Sequence, residues 1–227
     1  TYSRTPDSVY VNLFVGSRIV LEKIAGTDVE MVQETDYPWC GKLAFTVNPK
    51  QPRRFNVHIR VPDRAVSELY HATPDANGIT AIRVNGKPFQ APHKNGYAVL
   101  ARDWKAGDRI EVELPLKPQH VKGIDQIAAT RGKVALRYGP LIYNIERKDH
   151  DITKRLSTRA PLTAEWRGDF LGGVTVLKGT FSDGSPMLAI PNFVRENRAP
   201  GQPLPPEDPK PDASGRRRPV PVKGSET

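Results

Sequence analysis

The sequence predicts an all-β protein in which two consecutive antiparallel, jelly-roll-like β-sandwiches, residues 1–120 and 121–198, precede a disordered Pro-rich tail, residues 199–227. Three observations support this fold class. Apolar and polar residues alternate in several segments, turn-forming residues separate those segments at sandwich-like spacing, and no segment carries a sustained apolar helix stripe. The 227 residues suffice for two domains, each with its own core.

The first sandwich is predicted from strands with a period of two residues. In RFNVHIRVP, apolar residues alternate with polar neighbours, as in a strand with one buried face; the apolar ones are Phe55, Val57, Ile59 and Val61. The segments KLAFTV (42–47) and RIEVELPL (109–116) alternate in the same way. These segments are predicted to pair in antiparallel sheets.

Turn signals separate these strands. The pairs Asn85-Gly86 and Asn95-Gly96 are typical of tight hairpin turns, because both residue types accept the positive φ angles that such turns need. The segment PDRAVSELYHA (62–72) is expected to form a short helix or a turn.

The second sandwich is predicted to begin after LPLKPQHVKG. Its strand candidates are GKVALRYGPLIYNIE, broken at Gly139-Pro140, and the segments 172–181 and 187–193. The tail beyond residue 198 holds eight of the 22 prolines and almost no large apolar residues. Such a composition buries too little surface to offset the entropy of ordering, so disorder is expected there.

Composition narrows the classes of partner. The net charge of +9 is spread along the chain and mixed with acids, and the one dense basic run, GRRRP, lies in the tail, so we expect no nucleic-acid partner. No apolar run has the length of a membrane span, and no membrane partner is expected. The chain also lacks an initiator Met and a signal peptide, as expected of a chain that starts inside a longer protein.

Cys40, in TDYPWCGK, is the single cysteine, which excludes an intramolecular disulfide framework and a site built from several thiolates. A reactive thiolate needs a nearby cation, metal or helix N-terminus, whereas the neighbours Glu34 and Asp36 are acidic. Cys40 is therefore expected to be a structural or edge-exposed thiol.

Structural roles explain the remaining residues that could take part in chemistry. The histidines show no metal-ligand spacing. The carboxylates lie on strand faces or beside turns, and not as a shielded acid/base pair. The aromatic side chains are expected to pack on the sheets, although one of these rings could stack on a sugar. The histidines are His58, His71, His93, His120 and His150; the carboxylates are Asp36, Asp103, Asp108, Glu111 and Glu113; the aromatics are Tyr37, Trp39, Tyr97, Trp104 and Trp166.

Six segments taken in order carry a family resemblance. VYVNLFVGSRI, VQETDYPWCGKLAFTV, FNVHIRVP, VNGKPF, NGYAVLARDWKAGDRIEVELPL and VALRYGPLIYNIE resemble the C-terminal β-sandwich region of glycoside hydrolase family 127, the β-L-arabinofuranosidase-like proteins. The resemblance covers roughly residues 7–198 and includes LAIPNFVRENRAP.

The resemblance implies where the chemistry lies. In that family a preceding α/α barrel carries a cysteine nucleophile, a zinc held by further cysteines and a glutamate, and a second glutamate as acid/base. The nucleophile belongs to a Cys-Cys pair shortly before the YVNL strand, and this chain contains no such pair. The family also usually has an acid where Cys40 stands. We therefore assign no catalytic, substrate-binding or metal-binding residue and no cofactor to this chain, with zinc expected only in the barrel.

Two functions remain open at this point. The chain is either the non-catalytic region of a hydrolase of plant-type glycans, partnered by the barrel and with homodimerisation open, or a free-standing carbohydrate-binding or adhesive module. In either case the isolated chain is expected to be inactive. The resemblance favours a periplasmic or secreted parent, and the sugar specificity is not encoded in this region.

Overall fold

The computed structural model describes residues 1–63 and 67–197, and nearly all of its regular structure is β-strand. The predicted all-β class is confirmed. Within the described ranges the helical segments are two 3-10 turns, Ala128–Thr130 and Asn192–Val194, and no helix there has the length and apolarity to cross a membrane. The tail predicted over residues 199–227 lies outside the described residues.

The chain forms two compact units that interleave in sequence. The first comprises Thr1–Glu68 and Ala76–Leu116, and the second comprises Leu69–Asp75 and the chain from Lys117 onward. A short segment in the middle of the first unit's sequence thus belongs to the second unit.

The first unit is a sandwich of two sheets around one core. The five-stranded sheet has the order β1-β2-β6-β11-β10 and the six-stranded sheet the order β3-β4-β5-β12-β8-β9. All pairs are antiparallel except β2 with β6, which is parallel. The strands are β1 Tyr2–Thr5, β2 Ser8–Val11, β3 Ser17–Ile24, β4 Thr27–Thr35, β5 Lys42–Pro49, β6 Arg53–Arg60, β8 Ala81–Val84, β9 Lys87–Pro88, β10 His93–Lys94, β11 Tyr97–Trp104 and β12 Asp108–Glu113.

The alternating residues build the core as predicted. Phe55, Val57 and Ile59 of β6 are buried, and so are the apolar positions of β5 and β12. Trp104 at the end of β11 is fully buried, and its indole Nε1 donates a hydrogen bond to the Phe55 carbonyl oxygen at 3.1 Å. Because a buried indole N–H needs an acceptor, this bond fixes the register between the two strands at that end.

Both predicted Asn-Gly hairpin turns are confirmed. Val84 pairs with Lys87 and Lys94 pairs with Tyr97, so that each turn has two central residues. Asn85 and Asn95 have φ angles of 52° and 51°, and the glycines that follow are also positive. These are the angles that a two-residue turn with the right twist requires.

The second unit is one seven-stranded antiparallel sheet with the order β16-β17-β18-β15-β14-β13-β7. β18 pairs with β17 through Pro186 to Ala189 and with β15 through Ile190 and Pro191. Four consecutive residues from Val174 are buried. The strands are β7 Tyr70–Thr73, β13 Pro118–Gly123, β14 Ala135–Tyr138, β15 Leu141–Asn144, β16 Thr163–Arg167, β17 Val174–Thr180 and β18 Pro186–Pro191.

β7 is a strand where the sequence analysis predicted a different structure. Residues 62–72 were expected to form a short helix or turn, but Tyr70–Thr73 pairs with β13 in antiparallel register. The Ile124 backbone N–H donates to the Leu69 carbonyl at 3.0 Å, extending the pairing beyond the strand. Residues 64–66 lie outside the described ranges. The sequence signal for a helix was local, whereas the partner strand is far along the chain.

The buried Trp104 generates a stability prediction. Trp104→Ala is expected to lower the free energy of unfolding of the first unit by about 3–5 kcal/mol, because it leaves a cavity and an unpaired Phe55 carbonyl. Val20→Ala is the control, since Val20 is 57% exposed and its loss should change stability by less than about 0.5 kcal/mol. Urea unfolding followed by circular dichroism measures both, and equal effects would contradict the assigned core.

Candidate functional site

Cys40 lies in a tight corner between β4 and β5. The backbone N–H groups of Trp39 and Cys40 both donate to the Asp36 carbonyl oxygen, at 2.8 and 3.1 Å. The thiol is free and half-buried. A Cβ on the adjacent Gly41 would overlap the Leu114 carbonyl oxygen, so this corner requires glycine. The corner has a structural reason for its sequence; that Cys40 has no nucleophilic role stays a prediction.

Most candidate carboxylates are engaged in ion pairs on strand faces. Glu34 contacts Arg109 at 2.9 Å, Glu113 contacts Arg83 at 2.8 Å and Asp103 contacts Arg54 at 3.5 Å. These side chains are substantially exposed, so each pair contributes at most about 1 kcal/mol. Glu111 also lies 3.9 Å from Arg109. Glu113 and Asp103 meet their arginines across neighbouring strands, Glu34 reaches Arg109 across the intervening β5, and Glu111 lies on the same strand as Arg109.

Asp108 differs because its side chain is only 2% exposed. Its carboxylate accepts hydrogen bonds from Asn85 Nδ2 at 2.8 Å and from the Lys105 backbone N–H at 3.0 Å, and Arg102 lies 3.7 Å away. Burial raises the pKa of Asp108, but these hydrogen bonds and the nearby cations outweigh it, and the pKa lies below its ordinary value. The carboxylate thus organises the turn before β12.

Asp108→Asn is expected to lower the stability of the first unit at pH 7 by about 1–3 kcal/mol, because a buried charged acceptor is lost. The ionised form stabilises the fold fully above the ordinary pKa of 3.8, and this contribution is lost as pH falls through the lower pKa of the folded state. The difference between the two proteins should therefore narrow in acid. Denaturant unfolding across pH measures it, with the exposed Asp103→Asn as control. A difference that did not change with pH would contradict the role of the charge.

The aromatic candidates separate into core and surface. Trp104 lies in the core, Tyr37 packs edge-on against Phe14 at 5.6 Å, and Trp39 and Trp166 are half-buried. Tyr97 joins a cluster on the outward-facing side of the five-stranded sheet. There the His58 ring stacks on Tyr10 at 4.2 Å, and Tyr97 meets Tyr10 edge-on at 5.4 Å. Burial lowers the pKa of His58, partly offset by the charge of Asp7.

The structure brings two of the five histidines together. β7 and β13 pair so that His120 lies opposite Thr73 and Lys122 lies opposite His71. Residues directly opposite each other in antiparallel strands project to the same face, so these four side chains share one face of the sheet edge. His93 is an exposed residue of β10, and His150 accepts a hydrogen bond from the Leu188 backbone N–H at 3.0 Å.

These four side chains line a cavity of about 490 Å³ within the second unit. The loop that follows β13 completes the lining with Asp125 and Gln126. The wall is tight at Gly123, where a Cβ would overlap the Thr130 hydroxyl. The cavity combines hydrogen-bond donors and acceptors on a strand pair and one loop, and we treat it as the candidate functional site.

His120 is a half-buried part of the lining. Its Nε2 atom is buried and has no hydrogen-bond partner within the described residues. Burial lowers the pKa of His120, and the positive charge of Lys122 lowers it further. The imidazole is therefore neutral at pH 7, and its Nε2 atom is shielded from solvent.

The cavity does not have the character of a metal centre. Among residues 1–63 and 67–197, no three His, Cys, Asp or Glu side chains lie together in a way that could hold a metal ion. The zinc that the family resemblance implies therefore finds no ligand set in the part of the chain that is described, and no chemistry is assigned to it.

Sequence reasoning missed this site because it placed the histidines apart. His71 and His120 are distant in sequence, and β7 had been expected to be helix or turn. The available signal was weak: Tyr70 and Ala72 alternate with His71 and Thr73, but over four residues only, and the strand lies at the sheet edge.

Comparisons with known proteins bear on the whole chain. The family model described as the β-L-arabinofuranosidase GH127 middle domain matches residues 8–116, and that of the glycoside hydrolase family 127 C-terminal domain matches residues 118–203. The chain belongs to glycoside hydrolase family 127. The two matches meet close to the division between the compact units at Leu116 and Lys117. The predicted family is confirmed.

Individual relatives agree with the family assignment. The non-reducing end β-L-arabinofuranosidase of Bifidobacterium longum subsp. longum is 29% identical over 164 residues, which are 67% of this chain and 23% of that protein. The crystal structure of a family 127 β-L-arabinofuranosidase from Geobacillus stearothermophilus T6 matches with a TM-score of 0.74 and 31% identity, over 87% of this chain and 33% of that one. A second family 127 β-arabinofuranosidase structure matches with a TM-score of 0.78 and 25% identity, over 87% of this chain and 34% of that one.

The lengths differ greatly in these comparisons. The chain spans about a quarter of the curated relative and about a third of the two solved chains. The similarity therefore concerns the middle and C-terminal region of larger glycoside hydrolases.

Proposed function

We propose that this chain is the non-catalytic middle and C-terminal region of a family 127 glycoside hydrolase, and that it supports a catalytic α/α barrel. The observation that carries the proposal is the pair of consecutive domain matches, which together account for most of the chain. A domain described as the middle one is preceded by another region in its family. The barrel is the partner that this order favours.

The engagement of the candidate carboxylates supports a non-catalytic role. Glycoside hydrolysis needs an acid and a base or nucleophile on opposite sides of one bond, with side chains free to exchange protons. Here Glu34, Asp103 and Glu113 each lie beside an arginine, and Asp108 is held by hydrogen bonds in a turn. Carboxylates held in this way serve the fold.

The names of the relatives suggest the substrate of the longer protein to which this chain belongs. Two of them are β-L-arabinofuranosidases, so we infer that the parent removes L-arabinofuranose or a related sugar from plant-type glycans. The residues that select the sugar belong to the barrel in this proposal. Self-association of this region into a homodimer is a further element of the same proposal.

A free-standing carbohydrate-binding module is the second candidate function. It is favoured by the cluster of Tyr10, His58 and Tyr97, because half-buried aromatic rings on an open sheet face suit the apolar faces of sugars. The two functions differ in what precedes the chain in its coding sequence. A barrel ending in a Cys-Cys pair supports the first, and a stop codon or an unrelated domain supports the second.

The proposal predicts the activity of the chain on its own. The purified chain should release no 4-nitrophenol from 4-nitrophenyl β-L-arabinofuranoside, with or without added zinc, whereas a polypeptide that also contains the upstream barrel should do so. The contrast is expected because the reacting groups lie in the barrel. Cys40→Ser in the longer polypeptide is the matched control and should keep full activity.

Turnover by the chain alone that disappears in Cys40→Ser would contradict the proposal, since it would place a thiol nucleophile in this region.

A further inference from the structure

The cavity beside β7 and β13 has a balanced polar lining. Lys122 contributes a positive charge and Asp125 a negative one, and the imidazole of His120 is uncharged at pH 7. The threonine hydroxyls and the Gln126 amide add groups that both donate and accept hydrogen bonds. A lining of this kind has little net charge and offers both donors and acceptors at short range.

The imidazole and the charged groups of this lining are not paired with other side chains within the described residues. Nε2 of His120 has no hydrogen-bond partner within the described residues, and within those residues neither Lys122 nor Asp125 takes part in an ion pair. Buried polar atoms are normally satisfied, because leaving one unpaired costs about 1–3 kcal/mol. Nε2 itself is shielded from solvent, so the groups that a molecule in the cavity would meet are the exposed ones, Lys122 and Asp125 among them.

We propose that this cavity is a binding site for a neutral, hydroxyl-rich ligand, a carbohydrate unit of one or two sugar rings. Its volume of about 490 Å³ lies within the range of small-molecule sites. Sugar hydroxyls donate and accept at once, which matches a lining that combines Asp125, Gln126 and two histidines. Ile124 adds an apolar surface for the ring carbons. The proposal is independent of the non-catalytic supporting role argued above, because it rests only on the lining of this cavity in the second unit.

The charge balance favours a sugar over an anion. An oxyanion would meet the Asp125 carboxylate in the same cavity as the Lys122 ammonium, and the neutral His120 adds no attraction. A sugar hydroxyl can donate to Asp125 and accept from Lys122 without leaving either charge unpaired. The two ligand classes therefore give opposite results in one experiment.

The test is a titration of the full chain followed by the imidazole ¹H–¹³C NMR signals of its five histidines. The probes are L-arabinose, D-xylose and D-galactose, with sodium acetate and inorganic phosphate as the anionic arm. At least one sugar should shift the His71 and His120 signals together and saturably at concentrations up to about 50 mM, well above the ~1 mM dissociation constant of a weak site. The His93 signal should stay unchanged, because His93 lies in the first unit.

Substitutions at two exposed residues of the lining test whether the sugar binds in this cavity. His71→Ala and Asp125→Asn should each weaken sugar binding roughly tenfold, since the first removes a hydrogen-bonding group from the cavity and the second replaces a charged acceptor with a neutral amide. His93→Ala is the matched control and should leave the affinity unchanged. His120→Ala is avoided as the main test because His120 packs within the sheet.

Three results would overturn the proposal. These are a sugar panel that leaves both histidine signals unmoved, sugar binding that is unchanged in His71→Ala and Asp125→Asn, and saturable shifts with acetate or phosphate but with no sugar. The last would identify an anion site instead.

Discussion

Strand β7 pairs with β13 across four residues, although its neighbours in sequence belong to another unit. This pairing provides hydrogen-bond partners for buried polar groups that would otherwise have none. The Gln119 side chain donates to the Pro74 carbonyl at 2.6 Å and accepts from Arg137 Nε at 2.9 Å, and both Gln119 and Arg137 are buried. Without β7 the amide of Gln119 would lose its acceptor in a buried place, at a cost of about 1–3 kcal/mol. The cavity with its two histidines exists because of the same pairing.

The contrast between β6 and β7 explains what could be predicted from the sequence. β6 alternates strictly, because one face packs in the core of a sandwich and the other faces outward, and its buried residues were predicted one by one. The Asn-Gly turns were equally predictable, since their backbone angles depend on two adjacent residues. β7 has four residues at the edge of a sheet, with no residue fully buried, and its alternation is too short to distinguish a strand from a turn. The candidate site could not be predicted from local sequence either, because a long-range strand pairing creates it.

The first unit divides its surface between two kinds of side chain. The six-stranded sheet carries ion pairs such as Arg18 with Glu30 and Arg109 with Glu34, which keep a sheet face hydrated at little gain in stability. The five-stranded sheet carries the aromatic cluster around His58 as well as the ion pair of Arg54 with Asp103. Carboxylates that were candidates for catalysis thus form ion pairs on hydrated sheet faces. This agrees with a supporting role for the chain beside a catalytic region.

Native-state hydrogen exchange tests most directly the claim that β7 is an integral part of the second unit. The variant Leu136→Ala removes a buried side chain from β14, which lies beside β13, and should destabilise the second unit by about 2–5 kcal/mol. If the account is right, the hydrogen-bonded amides of Tyr70–Thr73 lose protection together with those of β13, while the amides of β6 and β8 keep theirs. Protection of β7 that follows β6 and β8, or that is unaffected by Leu136→Ala, would contradict it.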